Sequence, residues 1–593
     1  MIPRGSHWLP AALFLLLSPA GVSAAEPPNA AAPETTSTRP ALPGTQANKP
    51  GRPDPSAPAV LTDPYRVFSV PLVPKPAYLA PFTYPTFGSS LERVGNNVGA
   101  STAPVPGTWA SDARHVYSVQ QPWNSDGTLL MIENHVAGSP SPMFLDGTTY
   151  QPRYAECSNY SQYDDRWHPS LSHPHEMINV NSAGRELMWF DVTTCTKTRS
   201  WALPITVDGI GSSKGNPSDD GRFVALGNNS AMFVVDMDPQ PPYPPYPSVR
   251  IGPVYTFPPE SLTLLAPGTW TIHNLSVSPS GRYVNVKFGS ADDCGTYDFH
   301  RIFEVDPVTL ALKPHNMATS SLRCCIFQAR PNGWVFPLKH ADLASDPFDS
   351  NEDVLVGGNS CPSSTLGNVV KVRLRDGAVT QLTSGINESS VYHVSTRNVD
   401  RPGWAYVSWY KEDGKRFSDE ITAVKLDASQ SVERLCHIHS AVSGCYRCEA
   451  HPVPSRDGTR VLFASNWAQD CGAGCGDSTD IKDYIVNDAA ADRHVDAWNP
   501  NPPGASRLAV EQIRPNPTQF DPVIVYSLEN WEPARINLLD VAGRSVLQLD
   551  LGSPGPGRHA MVLDTPAGTQ PGVYIVLLTQ AQHSVTSEMV LRR

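Results

Sequence analysis

Between about residues 110 and 490 one hydropathy phrase recurs: a polar turn, a strand of aliphatic and aromatic residues, then a second strand ending in Asp. The fullest copies are Trp123-Asn-Ser-Asp-Gly-Thr-Leu-Leu-Met-Ile132, Pro217-Ser-Asp-Asp-Gly-Arg-Phe-Val-Ala-Leu226, Ser278-Pro-Ser-Gly-Arg-Tyr-Val-Asn-Val286 and Pro454-Ser-Arg-Asp-Gly-Thr-Arg-Val-Leu-Phe463. Looser copies lie at Asp349-Ser-Asn-Glu-Asp-Val-Leu-Val356 and Arg401-Pro-Gly-Trp-Ala-Tyr-Val-Ser408, and a further unit is built around Trp167-His-Pro-Ser170 and Glu186-Leu-Met-Trp-Phe-Asp191. The phrase encodes a tight hairpin: Asp or Ser bonds the turn backbone, Gly takes the positive φ, and β-branched or aromatic residues run on as a strand. Outer strands follow, such as Phe233-Val-Val-Asp236 and Ile302-Phe-Glu-Val-Asp306.

Seven such units, tens of residues apart, predict an all-β chain with a seven-bladed β-propeller over residues 61–500. A series of β-sandwiches is the competing reading, because the turn phrase alone suits many all-β folds. The stretch from about Asp63 to Gly107 is expected to supply a strand that closes the ring. No long stretch has helical periodicity.

From Arg514 the texture changes. Val523-Ile-Val-Tyr-Ser-Leu528, Ala534-Arg-Ile-Asn-Leu-Leu-Asp-Val-Ala-Gly-Arg-Ser-Val546 and Pro571-Gly-Val-Tyr-Ile-Val-Leu-Leu578 alternate with Gly and Pro turns. They predict a small immunoglobulin-like antiparallel β-sandwich over residues 510–593. With the opening Arg514-Pro-Asn-Pro517, the Leu-x-Asp-x-x-Gly-Arg strand and turn, and the basic end, this module resembles the C-terminal sorting domain of type IX secretion cargo. That resemblance implies the type IX machinery as a partner and export across the outer membrane of a diderm bacterium, followed by release or surface attachment. An immunoglobulin-like adhesive module is the alternative.

The N-terminus fits export. Arg4 precedes the apolar run from Leu9 to Leu17, and Val22-Ser23-Ala24 closes residues 1–24 as a cleavable signal. The apolar run is too short for a permanent anchor, so no transmembrane segment is expected. Residues 25–60, rich in Pro, Ala, Thr and Ser, read as a disordered spacer. The balance of 45 basic and 57 acidic residues, net -12, removes any general attraction to nucleic acid. Eleven cysteines in an exported chain suggest disulfides, with Cys324-Cys325, Cys445-x-x-Cys448 and Cys471-x-x-x-Cys475 the closest pairs.

Histidines recur at related places. His115, His168, His273, His340, His393 and His451 each lie upstream of their unit's turn or strand, where a propeller chain enters the innermost strand at the mouth of the central channel. Such a ring can coordinate a borderline metal or transfer protons near neutral pH, or it can merely cap blade ends. Trp167-His-Pro-Ser170, His340-Ala-Asp342, Tyr392-His-Val-Ser395 leading to Arg401, and Glu449-Ala-His-Pro452 resemble secreted seven-bladed polysaccharide lyases of the oligogalacturonate and ulvan lyase type.

That resemblance implies β-elimination on a uronic acid polymer. A divalent metal (Mn, Zn or Ca) would neutralise the carboxylate, a His or Tyr would abstract the C5 proton, and an acid would protonate the departing oxygen. The candidates are His340, His393, His451 and His273 for metal, with His393, His115 and His168 for catalysis. Tyr392 would be the acid, and Arg401 and Arg397 would neutralise the carboxylate. A non-catalytic propeller that binds surface glycan or protein is the alternative. Separately, Cys436, His439, Cys445 and Cys448 have the spacing of either a tetrahedral zinc site or a disulfide, the latter joining Cys445 to Cys436 across a short loop.

Overall fold

The hairpin phrase folds as its chemistry dictates. In the computed structural model, Ser218 Oγ accepts from Phe223 N at 2.9 Å, Ser278 Oγ from Tyr283 N at 3.1 Å and Ser455 Oγ from Arg460 N at 3.1 Å. Each bond pins a turn across its own glycine. Gly458 has φ +70°, and a Cβ there would stand 2.8 Å from the Tyr406 hydroxyl, so both conformation and space require glycine.

The structure describes residues 62–592 apart from 136–137, 158–163, 212–213, 239–248, 258–270, 293–294, 316–333, 336–337, 360–366, 489–507 and scattered positions between 515 and 568. The expected signal and spacer, and Cys294, Cys324, Cys325 and Cys361, lie outside the described residues. Those described are all-β: strands, three single 3-10 turns and no α-helix. None of their helices is long and apolar enough to cross a membrane.

The strands form successive sheets, and three of them are antiparallel meanders in chain order. One holds Arg166–Trp167, Glu176–Val180, Glu186–Asp191 and Thr196–Ala202. Another holds Leu338–Asp346, Glu352–Asn359, Val369–Arg373 and Val379–Gln381, and the next holds Val391–Ser395, Trp404–Trp409, Glu420–Lys425 and Val432–His437. Residues 63–107 do supply a strand: Ser90–Arg93 pairs antiparallel with Ile481–Asn487, with Leu91 opposite Val486. Asp112–Arg114 runs parallel to the same strand, so early and late segments share one sheet.

Apolar clusters lie between consecutive sheets. Val354, Val356, Val394, Ala405 and Val407 fill one such interface, and Trp109, Leu130, Ile132, Leu462 and Ile485 pack the early and late strands of the shared sheet together. Middle strands such as Ala231–Asp236 are therefore buried on both faces, whereas the outer strand Thr196–Ala202 is largely exposed.

Toward the C-terminus, Ala509–Arg514, Val523–Leu528 and Gly557–Val562 form a three-stranded sheet. Ser545–Gly552, Ala534–Asp540, Gly572–Gln580 and His583–Leu591 form a four-stranded one. Ile513, Ile524, Leu528, Ile536, Leu538, Val576 and Met589 from both sheets make one core, which is why the buried positions of Ala534–Asp540 alternate.

Disulfides join Cys157 to Cys195, Cys445 to Cys448 and Cys471 to Cys475. The zinc reading fails here, because the Cys445 and Cys448 thiolates it requires are bonded to each other. The Cys436–Cys445 bridge is also corrected: Cys436 is a buried free thiol.

Candidate functional site

Three of the recurrent histidines are turned to one point by local irregularities. The pairing of Val391–Ser395 with its neighbour shifts register between Val391 and His393, and that of Leu338–Asp346 shifts between Lys339 and Asp342, around His340. His340 has φ +48° and His451, just ahead of Val453–Pro454, has φ +43°. Bulges and left-handed non-glycine residues re-aim side chains out of the regular pleat, and they concentrate where a site is being built.

The result is a compact constellation. His393 Nε2 lies 2.8 Å and His451 Nε2 3.3 Å from Glu449 Oε2, and one ligand atom from each of the three residues falls within 4.8 Å of the others. The His393 ring centroid is 4.1 Å from both the His340 and the His451 centroids. Tyr117 places its hydroxyl 2.9 Å from His340 Nδ1 and its ring 4.6 Å from that of His451. Tyr392 stacks on His393 at 5.0 Å, and the Lys214 ammonium sits 4.2 Å from the centre of the Tyr117 ring. Arg114 directs a guanidinium N–H at His451 Nδ1 and, having no acceptor, leaves the neutral ring's proton on Nε2, facing Glu449.

Burial sets the protonation states. It holds the His393 and His451 imidazoles well below their ordinary pKa, helped by Arg114 beside both rings. Burial also raises the Glu449 carboxyl, and it raises the Tyr392 phenol, which the adjacent Glu449 lifts further. The site thus offers neutral imidazoles, one carboxylate and a phenol that keeps its proton. His393 Nδ1 is buried with no hydrogen-bond partner among the described residues. Such an orphan is uncommon, and it marks a place where a small ligand or water would bond.

The other expected residues lie elsewhere. His115 uses both ring nitrogens, on Asp483 Oδ1 at 2.7 Å and on the His451 carbonyl at 2.6 Å, so it positions His451 and has no nitrogen left for proton transfer. His168 meets the His173 ring at a tilt, centroids 4.7 Å apart, and burial lowers its pKa to about 3. It borders a separate cleft together with Asp219, Arg397 and Arg456, and none of the clustered histidines lines it. His273, on Thr271–Val277, is exposed and outside the cluster.

Neither predicted arginine reaches the imidazoles. Arg397 makes a two-pronged ion pair with Asp342 at 2.8 and 2.9 Å, and buried Arg401 bonds Glu433 and Asp488, each at 2.9 Å. A buried charge broken from its partner is costly, so these carboxylates hold both arginines in place. His439 bonds the Tyr84 hydroxyl at 2.7 Å. Sequence reasoning missed Glu449, Tyr117, Arg114 and Lys214. Glu449 and Tyr117 each stand two residues from a histidine of the set, the spacing that puts side chains on one side of an extended segment. No comparable signal marks Lys214.

No protein-family model and no curated protein matches the sequence. Among solved structures, the chain is similar to an oligogalacturonate lyase in complex with manganese, with TM-score 0.38 and 12% identity over 71% of this chain and 98% of that one. It is also similar to the β-propeller domain of Myceliophteria thermophila Cps50 (Swd1), with TM-score 0.32 and 11% identity over 63% and 97% of the two chains. A third is the Dos1 propeller, with TM-score 0.33 and 10% identity over 64% and 94%.

Proposed function

We propose that this chain is a cation-assisted polysaccharide lyase acting on uronic-acid-containing glycan, built on a seven-bladed β-propeller. The observation that carries the reading is the convergence of His340, His393 and His451, from three different sheets, around the Glu449 carboxylate. Seven blades are supported by the order of the sheets and by Ser90–Arg93 joining the last of them.

The residues fit a divalent cation. Two imidazoles and a carboxylate with ligand atoms this close, plus the orphaned His393 Nδ1, suit Mn or Zn better than Ca, which prefers an all-oxygen shell. His393, His451 and Glu449 would hold it, with His340 alongside. Loading would displace the proton between His451 and Glu449, so uptake weakens as pH falls. When bound, the cation would neutralise the uronate carboxylate and acidify the proton at C5.

The chain's own groups would do the rest. Tyr117 takes the C5 proton while passing its own to His340 Nδ1, 2.9 Å away, and Lys214 over its ring steadies the charge that develops on oxygen. As the C4–O bond breaks and the C4–C5 double bond forms, Tyr392 gives its proton to the departing oxygen. Lys214 is the cation in the role first assigned to Arg401 and Arg397, because buried Arg114 is spent on the carbonyls of His115, Val116, Arg447 and Glu449 and on His451.

A second reading, a non-catalytic platform for glycan or protein, is favoured by one observation: Arg397 and Arg401 are both locked in ion pairs. Ultraviolet absorbance of unsaturated uronates separates the two. The lyase reading expects a chelator-sensitive rise on at least one uronate polysaccharide, and no rise on a broad panel with Mn and Zn supplied would leave the platform.

We also propose that the chain is exported by a diderm bacterium and acts outside the cell or on its surface, with residues 510–593 serving as an immunoglobulin-like type IX sorting domain. The signal-like N-terminus, the two-sheet core and three disulfides support this.

A further inference from the structure

Most large aromatic side chains of the sheet array are buried, Trp109, Trp123, Trp189, Trp409 and Trp467 among them. Among the described residues, the tyrosines with broad exposure are Tyr65 at 65%, Tyr446 at 52% and Tyr410 at 37%. Two of these three stand against the imidazole cluster, one on each side. Tyr410 stacks on Tyr392 at 3.8 Å, and Tyr392 stacks on His393 at 5.0 Å. Beyond His393, the His451 ring follows at 4.1 Å and Tyr446 meets His451 edge-on at 5.4 Å. The rings Tyr410, Tyr392, His393, His451 and Tyr446 therefore form a continuous row with exposed phenols at both ends.

Both end rings are held in place before any ligand arrives. Tyr410 N donates to the Ser390 carbonyl at 2.9 Å, and Tyr392 backs its ring at an interplanar angle of 21°. Tyr446 lies in the 3-10 turn Tyr446–Cys448, which the Cys445–Cys448 disulfide closes. A rigid exposed ring presents an apolar face to the C–H face of a pyranose and a hydroxyl to its rim, at little entropic cost.

We infer that Tyr410 and Tyr446 are sugar-stacking platforms on the two sides of the reacting centre, so that a glycan chain lies across the cluster and is cut internally rather than at an end. This rests on the lyase reading for the cut, while the stacking itself does not. Lys214, 6.0 Å from the Tyr446 ring centre, makes the Tyr446 side the one that takes an acidic sugar.

The test uses the full chain with Tyr410→Ala, Tyr446→Ala, Tyr446→Phe and the remote control Tyr65→Ala, on a uronate polymer and on the shortest oligomer that is cleaved. Retention of the polymer in affinity electrophoresis is measured in parallel. Either alanine variant is expected to raise KM for the polymer about tenfold. On the shortest oligomer, kcat should stay within about twofold, products should appear at intermediate lengths early in the reaction, and Tyr446→Phe should restore binding. Equal effects on polymer and oligomer, no effect on either, or release of end units only would overturn the inference while leaving the lyase reading intact. If the wild type retains polymer without cleaving it, the lyase reading falls and the retention of the same variants decides the platforms. A wild type that neither cleaves nor retains any polymer overturns both.

Discussion

Two histidine clusters lie in neighbouring parts of this chain, all of their rings buried but that of half-buried His340, and they do opposite things. At the proposed site, His340, His393 and His451 gather around Glu449 with Tyr410 and Tyr446 open to solvent beside them. At the other, Tyr84 from the N-terminal segment places one hydroxyl between His437 Nδ1 at 2.9 Å and His439 Nε2 at 2.7 Å. Trp467 and Phe87 cover these rings, at 4.5 Å from His439 and 5.0 Å from His437. What distinguishes a site from a structural knot here is whether bulky rings close over the cluster, as Trp467 and Phe87 do, or exposed tyrosines flank it.

The comparison breaks first if the open cluster is inert. His393→Ala should lower kcat/KM on a uronate polymer by about 10²–10⁴ while shifting the unfolding midpoint little, as initial rates and thermal denaturation would record. For the covered cluster the roles reverse. Tyr84→Ala should cost about 3 kcal/mol of stability in urea unfolding and leave the rate per folded molecule unchanged.

Acid sharpens the contrast further. Burial lowers the His439 pKa to about 4, whereas the unfolded ring titrates near ~6.5. Between those values the unfolded chain binds the extra proton, so the contribution is neutral above about 6.5, turns destabilising as pH falls, and levels off near 4. His439→Gln does not titrate, and Asp419, Glu420, Arg434, Lys411 and Asp470 around it are common to both proteins. Wild type should therefore lose about 2 kcal/mol relative to the variant from pH 6.5 to pH 4, measured by denaturant titration at each pH. The smallest effect belongs to the turn that carries Tyr446 and leads to Glu449. Replacing Cys445 and Cys448 together by Ser should cost about 1 kcal/mol, because the loop they close is very short, and calorimetry would show it.

How much of this was legible in the sequence follows the range of the interactions. Turns were readable because Ser218, Ser278 and Ser455 bond partners five residues away, and the glycines that complete those turns are unmistakable. The short-range disulfides Cys445–Cys448 and Cys471–Cys475 were visible for the same reason. The early strand gave a weak pattern because Ser90–Arg93 is only four residues long. Arg397 and Arg401 looked available because the carboxylates that capture them, Asp342 and Asp488, are 55 and 87 residues away. His439 resembled a metal ligand because nothing local announces Tyr84, 355 positions earlier. Recurrence pointed to His340, His393 and His451, yet the same recurrence also selected His115, whose nitrogens serve the backbone and Asp483.

The most direct test of the cation-assisted site follows occupancy and rate together: Mn is titrated into chelator-stripped wild type and Glu449→Gln, and bound metal and uronate elimination are measured on the same samples. The account predicts that wild type gains activity in proportion to one bound ion per chain, while Glu449→Gln binds more weakly and stays nearly inactive. Full elimination by stripped wild type, or Mn binding undisturbed by Glu449→Gln, would contradict it.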